Sequence, residues 1–162
     1  MTFETILLAG WGDMDANGHM ANTAYLNKAV DVRSRFLAAN GFTHAEFVRL
    51  GIGAVVRKDE IEYFREFRMH DDIRANILLA GLSEDGSRGL WRNEMYRDDV
   101  LCARVTSMIG WMDLRARKLV APPATLLEAI QRIPHTDDFA DLPPSKHQDP
   151  RPSAGPVPEV SE

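Results

Sequence analysis

The sequence predicts an α+β domain in which an antiparallel sheet wraps one long helix. Two observations predict this. A single helical stretch with a broad apolar side runs from Asn22 to about Asn40, and after it the hydrophobic period changes to two and stays there through several segments. A helix with that much apolar surface needs a sheet to bury it. A sheet covered by one helix leaves its other face and its edges to be managed, and oligomerisation is the usual answer.

Taken in order, residues 3–11 alternate loosely and read as a strand, and residues 12–21 read as a loop. In the helix that follows, Tyr25, Ala29, Val32 and Phe36 recur at steps of four, three and four, so they share one face, which Leu26, Val30 and Leu37 widen. Lys28, Asp31, Ser34 and Arg35 lie elsewhere on the helix. Asn40-Gly41 is a stop signal, since glycine readily takes the left-handed conformation past a helix end. HAEFVRLG reads as one or two further helical turns closing at Gly51. IGAVVRKDEIEYFREF contains two candidate strands, with Ile61 and Tyr63 on one face and Glu60 and Glu62 on the other. DIRANILLAGL is a third, the Gly- and Asp-rich SEDGSRG a turn, LWRNEMYR a fourth, and VLCARVTSMIGWMDL a fifth reached through the tip Asp98-Asp99. PPATLLEAIQRI opens with proline and closes the domain as a short helix. The domain is expected to span residues 1–134. Six of the nine prolines lie between residues 143 and 162, so 135–162 reads as a Pro-rich disordered tail.

The bulk numbers exclude several classes. A chain of 162 residues with 44% hydrophobic and 27% charged content is an ordinary single globular domain. No apolar run approaches the ~20 residues of a membrane span. The start, MTFETILLAG, lacks the basic residues and small-residue cleavage site of a signal peptide. The lone cysteine, Cys102, sits in an apolar strand-like run and reads as a buried thiol, which fits a cytoplasmic location. A net charge of −5 argues against nucleic-acid binding but leaves room for an anionic ligand on a local basic patch. The five histidines are scattered, so no metal site is expected, and no cofactor motif is present.

The most unusual stretch is WGDMDANGHMANTAYL, residues 11–26, where two aspartates, two asparagines, a histidine and two glycines crowd ahead of the long helix. One such residue suffices to cap a helix. The motif DMDANGHMANTAYL, with the element order over residues 3–133, resembles the hotdog-fold thioesterases of the 4-hydroxybenzoyl-CoA thioesterase-like branch; VVRKDEIEYF and DLRARKLVAPP are similar to that family's strands and domain close. The resemblance implies a hotdog fold, a curved antiparallel sheet around one central helix. It also implies a dimer that pairs two sheets edge to edge, with acyl thioester sites at the subunit boundary. It implies that Asp15, second aspartate of the Asp-x-Asp motif, acts as general base or nucleophile, and that the backbone amide of Asn22 polarises the thioester carbonyl. The stretch is similar, too, to the plant acyl-ACP thioesterases, whose Asp, Asn and His at alternate positions match Asp15, Asn17 and His19. Ala21 stands where an Asn is common there, and no cysteine matches a further catalytic residue of some of those enzymes; Asp59 and Glu60 are the nearby acids.

The chemistry fits these residue types. Thioester hydrolysis develops negative charge on a carbonyl oxygen, and a helix front presents unpaired N–H groups and the positive end of its dipole. An upstream aspartate activates water or attacks directly. Gly12 and Gly18 let the loop backbone approach a ligand. Each residue also has a structural reading: Asp13 and Asp15 as turn residues, Asn17 as a tolerant left-handed position, His19 as a satisfied surface or interface histidine, Asn22 as a side-chain N-cap, and Tyr25 as core. For coenzyme A phosphates the candidates are Arg57 and Lys58, then Arg65, Arg68, Arg88 and Arg92, each of which reads first as a solvated strand position; the same basic residues could meet an acidic acyl carrier protein. The expected partners are thus an acyl-CoA or acyl-carrier thioester and further copies of the chain, as a homodimer or dimer of dimers. Two other functions compete. A hotdog hydratase or dehydratase is one, although its motif has five positions from Asp to His and a proline, against four and none here. A non-catalytic acyl-thioester binding module is the other.

Overall fold

A computed structural model describes residues 2–145. The elements run β1 (Glu4–Leu8), α1 (Asn22–Ala39), α2 (His44–Leu50), β2 (Ile52–Tyr63), β3 (Asp72–Asn76), β4 (Leu78–Ser83), β5 (Arg88–Arg97), β6 (Val100–Asp113), β7 (Lys118–Val120), α3 (Ala124–Gln131) and β8 (His135–Leu142), with a short 3-10 turn at Trp11–Asp13. This is the curved sheet around a central helix of the hotdog fold. β5 and β6 form its long middle hairpin, turned at Asp98 in a left-handed conformation (φ 53°). β6 carries β2 on its other side, while β3 and β4 share the far side of β5, with β1 beyond β3.

Helix α1 buries the face that its spacing predicts: Tyr25, Ala29, Val32, Phe36 and Leu37 all lie in the core, whereas Val30 is half exposed. Phe36 meets Trp91 of β5 edge to face, and Trp91 meets Trp111 of β6. The helix ends where Asn40-Gly41 predicts, with Gly41 at φ 88°, and α2 closes on left-handed Gly51. Cys102 is buried in the same core.

Four expectations need correction. IGAVVRKDEIEY is one strand, because a bulge at Arg57 absorbs the irregularity that splits the pattern. DIRANILLAGL is two strands. They break at Asn76-Ile77, where the Asn76 side chain accepts from the Glu94 N–H (3.0 Å) and the Asn93 amide donates to the Asn76 carbonyl (2.9 Å) in place of the ladder. The short strand β7 was not anticipated as a separate element. The domain also does not end at residue 134: residues 135–142 form β8, which pairs with β4 in parallel, the one parallel pairing among the described residues. β8 is mostly polar and its pattern is interrupted, so it reads as tail. It is held by Phe139 packing on the core and by Asp138, whose carboxylate takes two bonds from Arg92 (2.7 and 3.0 Å). The rest of the expected tail, 146–162, lies outside the described residues.

Among the described residues β2 pairs only with β6, leaving its other long side without a strand partner there. No helix among the described residues is long and apolar enough to cross a membrane.

Candidate active site

The loop ahead of α1 closes on itself. Met14 and Met20 form an isolated antiparallel bridge, the Asp15 N–H donates to the His19 carbonyl (2.8 Å), and the Gly18 N–H donates to the Asp15 carbonyl (3.1 Å). One oxygen of the Asp15 carboxylate then accepts the N–H groups of Asn17 (2.8 Å) and His19 (3.3 Å). The structure thus brings Asp15, Asn17 and His19 into one exposed turn. Gly18, at φ 75°, takes the left-handed position, so Asn17 does not fill that role. Asp15 lines an open depression of ≈ 470 Å³ with Trp11, Met14 and Met69, and Trp11 is 83% exposed there.

The two aspartates of the motif are used differently. Asp13 accepts the Gly10 N–H (2.8 Å) and pairs with Lys28 (2.7 Å), both side chains being largely buried. Its carbonyl accepts the Ala21 N–H (2.8 Å), which sets the loop directly on the helix.

At the helix front, Ala21 is the cap residue and offers no side-chain acceptor; Asn22 is the first helical residue and does not cap by side chain, which corrects that reading. The Ala24 N–H donates to the Ala21 carbonyl (2.9 Å). The N–H groups of Asn22 and Thr23 have no acceptor among the described residues. They are the orphan donors of a helix start, aligned with the positive end of its dipole. Only Ala21 separates Met20, where the loop closes, from Asn22.

Tyr63, expected on the same face as Ile61, stands at the end of β2. It is half exposed at the helix front, donates its hydroxyl to the Asn22 carbonyl (3.0 Å) and packs edge to face on Tyr25. Tyr25 is core, as expected, and its hydroxyl accepts the Phe67 N–H (3.4 Å). His19 bridges to Arg68 on the chain after β2. The neighbouring Glu66 carboxyl is held below its usual range by its own backbone N–H and by the charges of His19, Arg68 and Arg97. The sequence offered no signal for Glu66 or Lys28; both meet the motif only through the fold.

The basic candidates are dispersed. Arg57 is the extra residue of the β2 bulge, and Lys58 beside it pairs with Glu60 (3.0 Å). Arg92 is committed to Asp138, and Arg68 pairs with Glu66 (3.7 Å). Asp59 does not face the loop: it accepts from Ser107 (2.5 Å), on the β6 position opposite it. No group of side chains suited to a metal ion occurs among the described residues.

Residues 9–130 match the thioesterase-like superfamily. No curated protein matches the sequence. Several solved structures share the fold. One from Staphylococcus aureus, a hypothetical protein in complex with CoA, is 18% identical at a TM-score of 0.75, with 94% of this chain and 96% of that chain covered. A 1,4-dihydroxy-2-naphthoyl-CoA thioesterase from Synechocystis is 17% identical at a TM-score of 0.73, over 82% of this chain and 97% of that one. A hypothetical protein from Aquifex aeolicus is 19% identical at a TM-score of 0.70, over 79% of this chain and 98% of that one.

Proposed function

The chain belongs to the thioesterase-like superfamily, and from that premise we propose that it hydrolyses acyl thioesters of coenzyme A or of an acyl carrier protein. Water adds across the C–S bond, releasing a carboxylic acid and a thiol. The observation that carries this reading is the free Asn22 N–H at the front of α1, next to a closed loop that presents Asp15. The Asn22 amide takes the developing oxyanion, where losing one donor typically costs about 10²–10³ in rate. Asp15 is the general base or nucleophile. Asn17 and His19 hold its carboxylate through their N–H groups and orient water or substrate.

The CoA complex of the Staphylococcus aureus structure supports a CoA thioester as ligand, with Arg57 and Lys58 meeting its phosphates. The open side of β2 supports a homodimer, or a dimer of dimers, built edge to edge, because a long unpaired strand is otherwise exposed. A single buried thiol fits a cytoplasmic protein. Catalysis is tested with a panel of short, long and aromatic acyl-CoA substrates and detection of free thiol. Release by the wild-type protein that disappears in Asp15→Asn is the expected result. No release from any member of the panel, or an unchanged rate in Asp15→Asn, defeats the assignment. Light scattering tests the dimer.

A further inference from the structure

A second cavity, of ≈ 310 Å³, lies between the rear half of α1, α2 and the sheet, and shares no lining residue with the depression at Asp15. Its walls include Val30, Leu37, Phe47, Trp91 and Trp111, with Phe47 stacked on Trp111. Into this apolar space the sequence sends Arg33, which is only 5% exposed. Arg33 sits about 16 Å along the helix from Asn22.

A guanidinium carries five N–H donors. Among the described residues Arg33 spends one, on the Ser107 hydroxyl. Ser107 in turn donates to Asp59, so the nearest anion stands one hydroxyl away and makes no direct pair with Arg33. Burial lowers the Arg33 pKa and the charge of Asp59 opposes that shift. His44, exposed at the cavity, is the other titratable group of the lining. The buried side-chain atoms left without a partner among the described residues are Arg88 Nε and Asn93 Oδ1, so the unspent Arg33 donors are not sealed off but open on the cavity, whose apolar wall cannot take their hydrogen bonds. A carboxylate can, because it accepts the planar fork in a bidentate pair.

We infer that this cavity binds an apolar carboxylate, its hydrocarbon or aromatic part against Trp91 and Trp111 and its carboxylate on Arg33. A dry cavity of about 150 Å³ takes a benzene ring, so this one has room for a ring with a short chain. Two sources share that chemistry: the far end of a carboxylate-bearing acyl group, and a free organic acid. The first rests on the thioesterase reading; the binding itself does not.

The test compares 4-phenylbutyrate with 4-phenylbutyramide, which match in shape and differ in charge. Titration calorimetry gives the affinities. Tryptophan fluorescence in a Trp11→Phe background locates the site, since Trp91 and Trp111 are then the only tryptophans. The acid is expected to bind about tenfold or more tighter than the amide, with a change in fluorescence, and Arg33→Met to erase the difference. Equal affinities in the wild-type chain overturn the inference, as does a preference that survives in Arg33→Met. If Arg33→Met does not fold, Ala54→Phe at the cavity wall replaces it: loss of acid binding supports the site, and undiminished binding refutes it.

The kinetic arm separates the sources. A preference for ω-carboxyacyl-CoA over acyl-CoA of equal length, lost in Arg33→Met, puts the acyl end in the cavity. Non-competitive modulation of plain acyl-CoA turnover by the free acid puts the acid there. A protein that binds the acid and cleaves no thioester refutes the catalytic reading and leaves this one standing.

Discussion

Asp15 makes two contributions that a pair of substitutions separates. One oxygen of its carboxylate accepts two backbone N–H groups at 2.8 and 3.3 Å and so closes the turn. In the proposed mechanism the negative charge serves the chemistry as base or nucleophile. Asparagine keeps an oxygen in the same place and removes the charge; alanine removes both. A hydrogen bond of this kind contributes about 0.5–1.5 kcal/mol. The turn is exposed and the second bond is long, so Asp15→Ala is expected to cost about 1 kcal/mol, a fall of about 2–4 °C in melting temperature for a chain of this size. Asp15→Asn is expected to stay within about 0.5 kcal/mol of wild type. Turnover behaves otherwise: both variants lose about 10²–10⁴ in kcat, the usual worth of a positioned base. The assay is thiol release from an acyl-CoA at saturating concentration, beside thermal unfolding of the same samples. The reasoning fails if Asp15→Asn retains more than about a tenth of wild-type kcat, since the proton acceptor then lies elsewhere. It also fails if Asp15→Asn melts as low as Asp15→Ala, since the carboxylate oxygen then does not hold the turn.

Asp13→Ala is expected to destabilise by about 1.5–3 kcal/mol in denaturant titration, because it strips the Gly10 N–H and the largely buried Lys28 of their acceptor. Gly12→Ala next to it, with open space around the added Cβ, should stay within about 0.5 kcal/mol. Truncation after Pro134 removes β8 from β4 and both carboxylate bonds from Arg92, and should lower the melting temperature by about 4 °C or more. In acid, stability should fall below about pH 4. The folded-state pKa of Asp138 is depressed by Arg92; Asp71 and Asp85 are depressed as well, by hydrogen bonds that outweigh their desolvation. A depressed carboxylate stabilises above its unfolded pKa, and that share is lost on protonation. At the alkaline end burial and Glu94 push Tyr96 up to about 12, so the folded state keeps its proton longer and stability should decline from about pH 10 upward. Unfolding curves across the pH range read both limbs.

The helix was legible because its information is local: four apolar positions at helical spacing define the buried face, and all four are buried. Arg33 was not, although it follows Ala29 by one turn on that same face. A charge in a helical pattern reads as solvent-facing, and its partner Ser107 lies 74 positions away. The residues of the loop ahead of α1 stood out by their density and by the family resemblance, but the different contacts of its two aspartates did not. Asp13 and Asp15 look alike in sequence; the folded chain distinguishes them, giving Asp13 the Gly10 N–H and Lys28 and giving Asp15 the N–H groups of Asn17 and His19. β8 was missed for a similar reason: the features that make it a strand, Phe139 on the core and Asp138 on Arg92, are long-range.

The Asp13–Lys28 pair also bears on why an exposed loop could serve catalysis. Proton transfer and oxyanion binding tolerate little error in position, and sites on loops are less precise than sites on helices or strands. Here three ties remove the loop's independence. Asp13 holds Lys28 in the second turn of α1, the Asp13 carbonyl takes the Ala21 N–H, and the Met20 N–H donates to the Phe67 carbonyl (2.8 Å) beyond β2. Tyr63 ties the end of β2 to the Asn22 carbonyl from the other side. The carboxylate and the helix-front amide are therefore carried by one braced unit. Asp13→Asn should then lower kcat while leaving KM for acyl-CoA largely unchanged, because it loosens the relation between the proposed base and the proposed oxyanion donor and leaves both in place. A raised KM with an unaltered kcat is the result that would contradict a bracing role and point to Asp13 as a substrate contact.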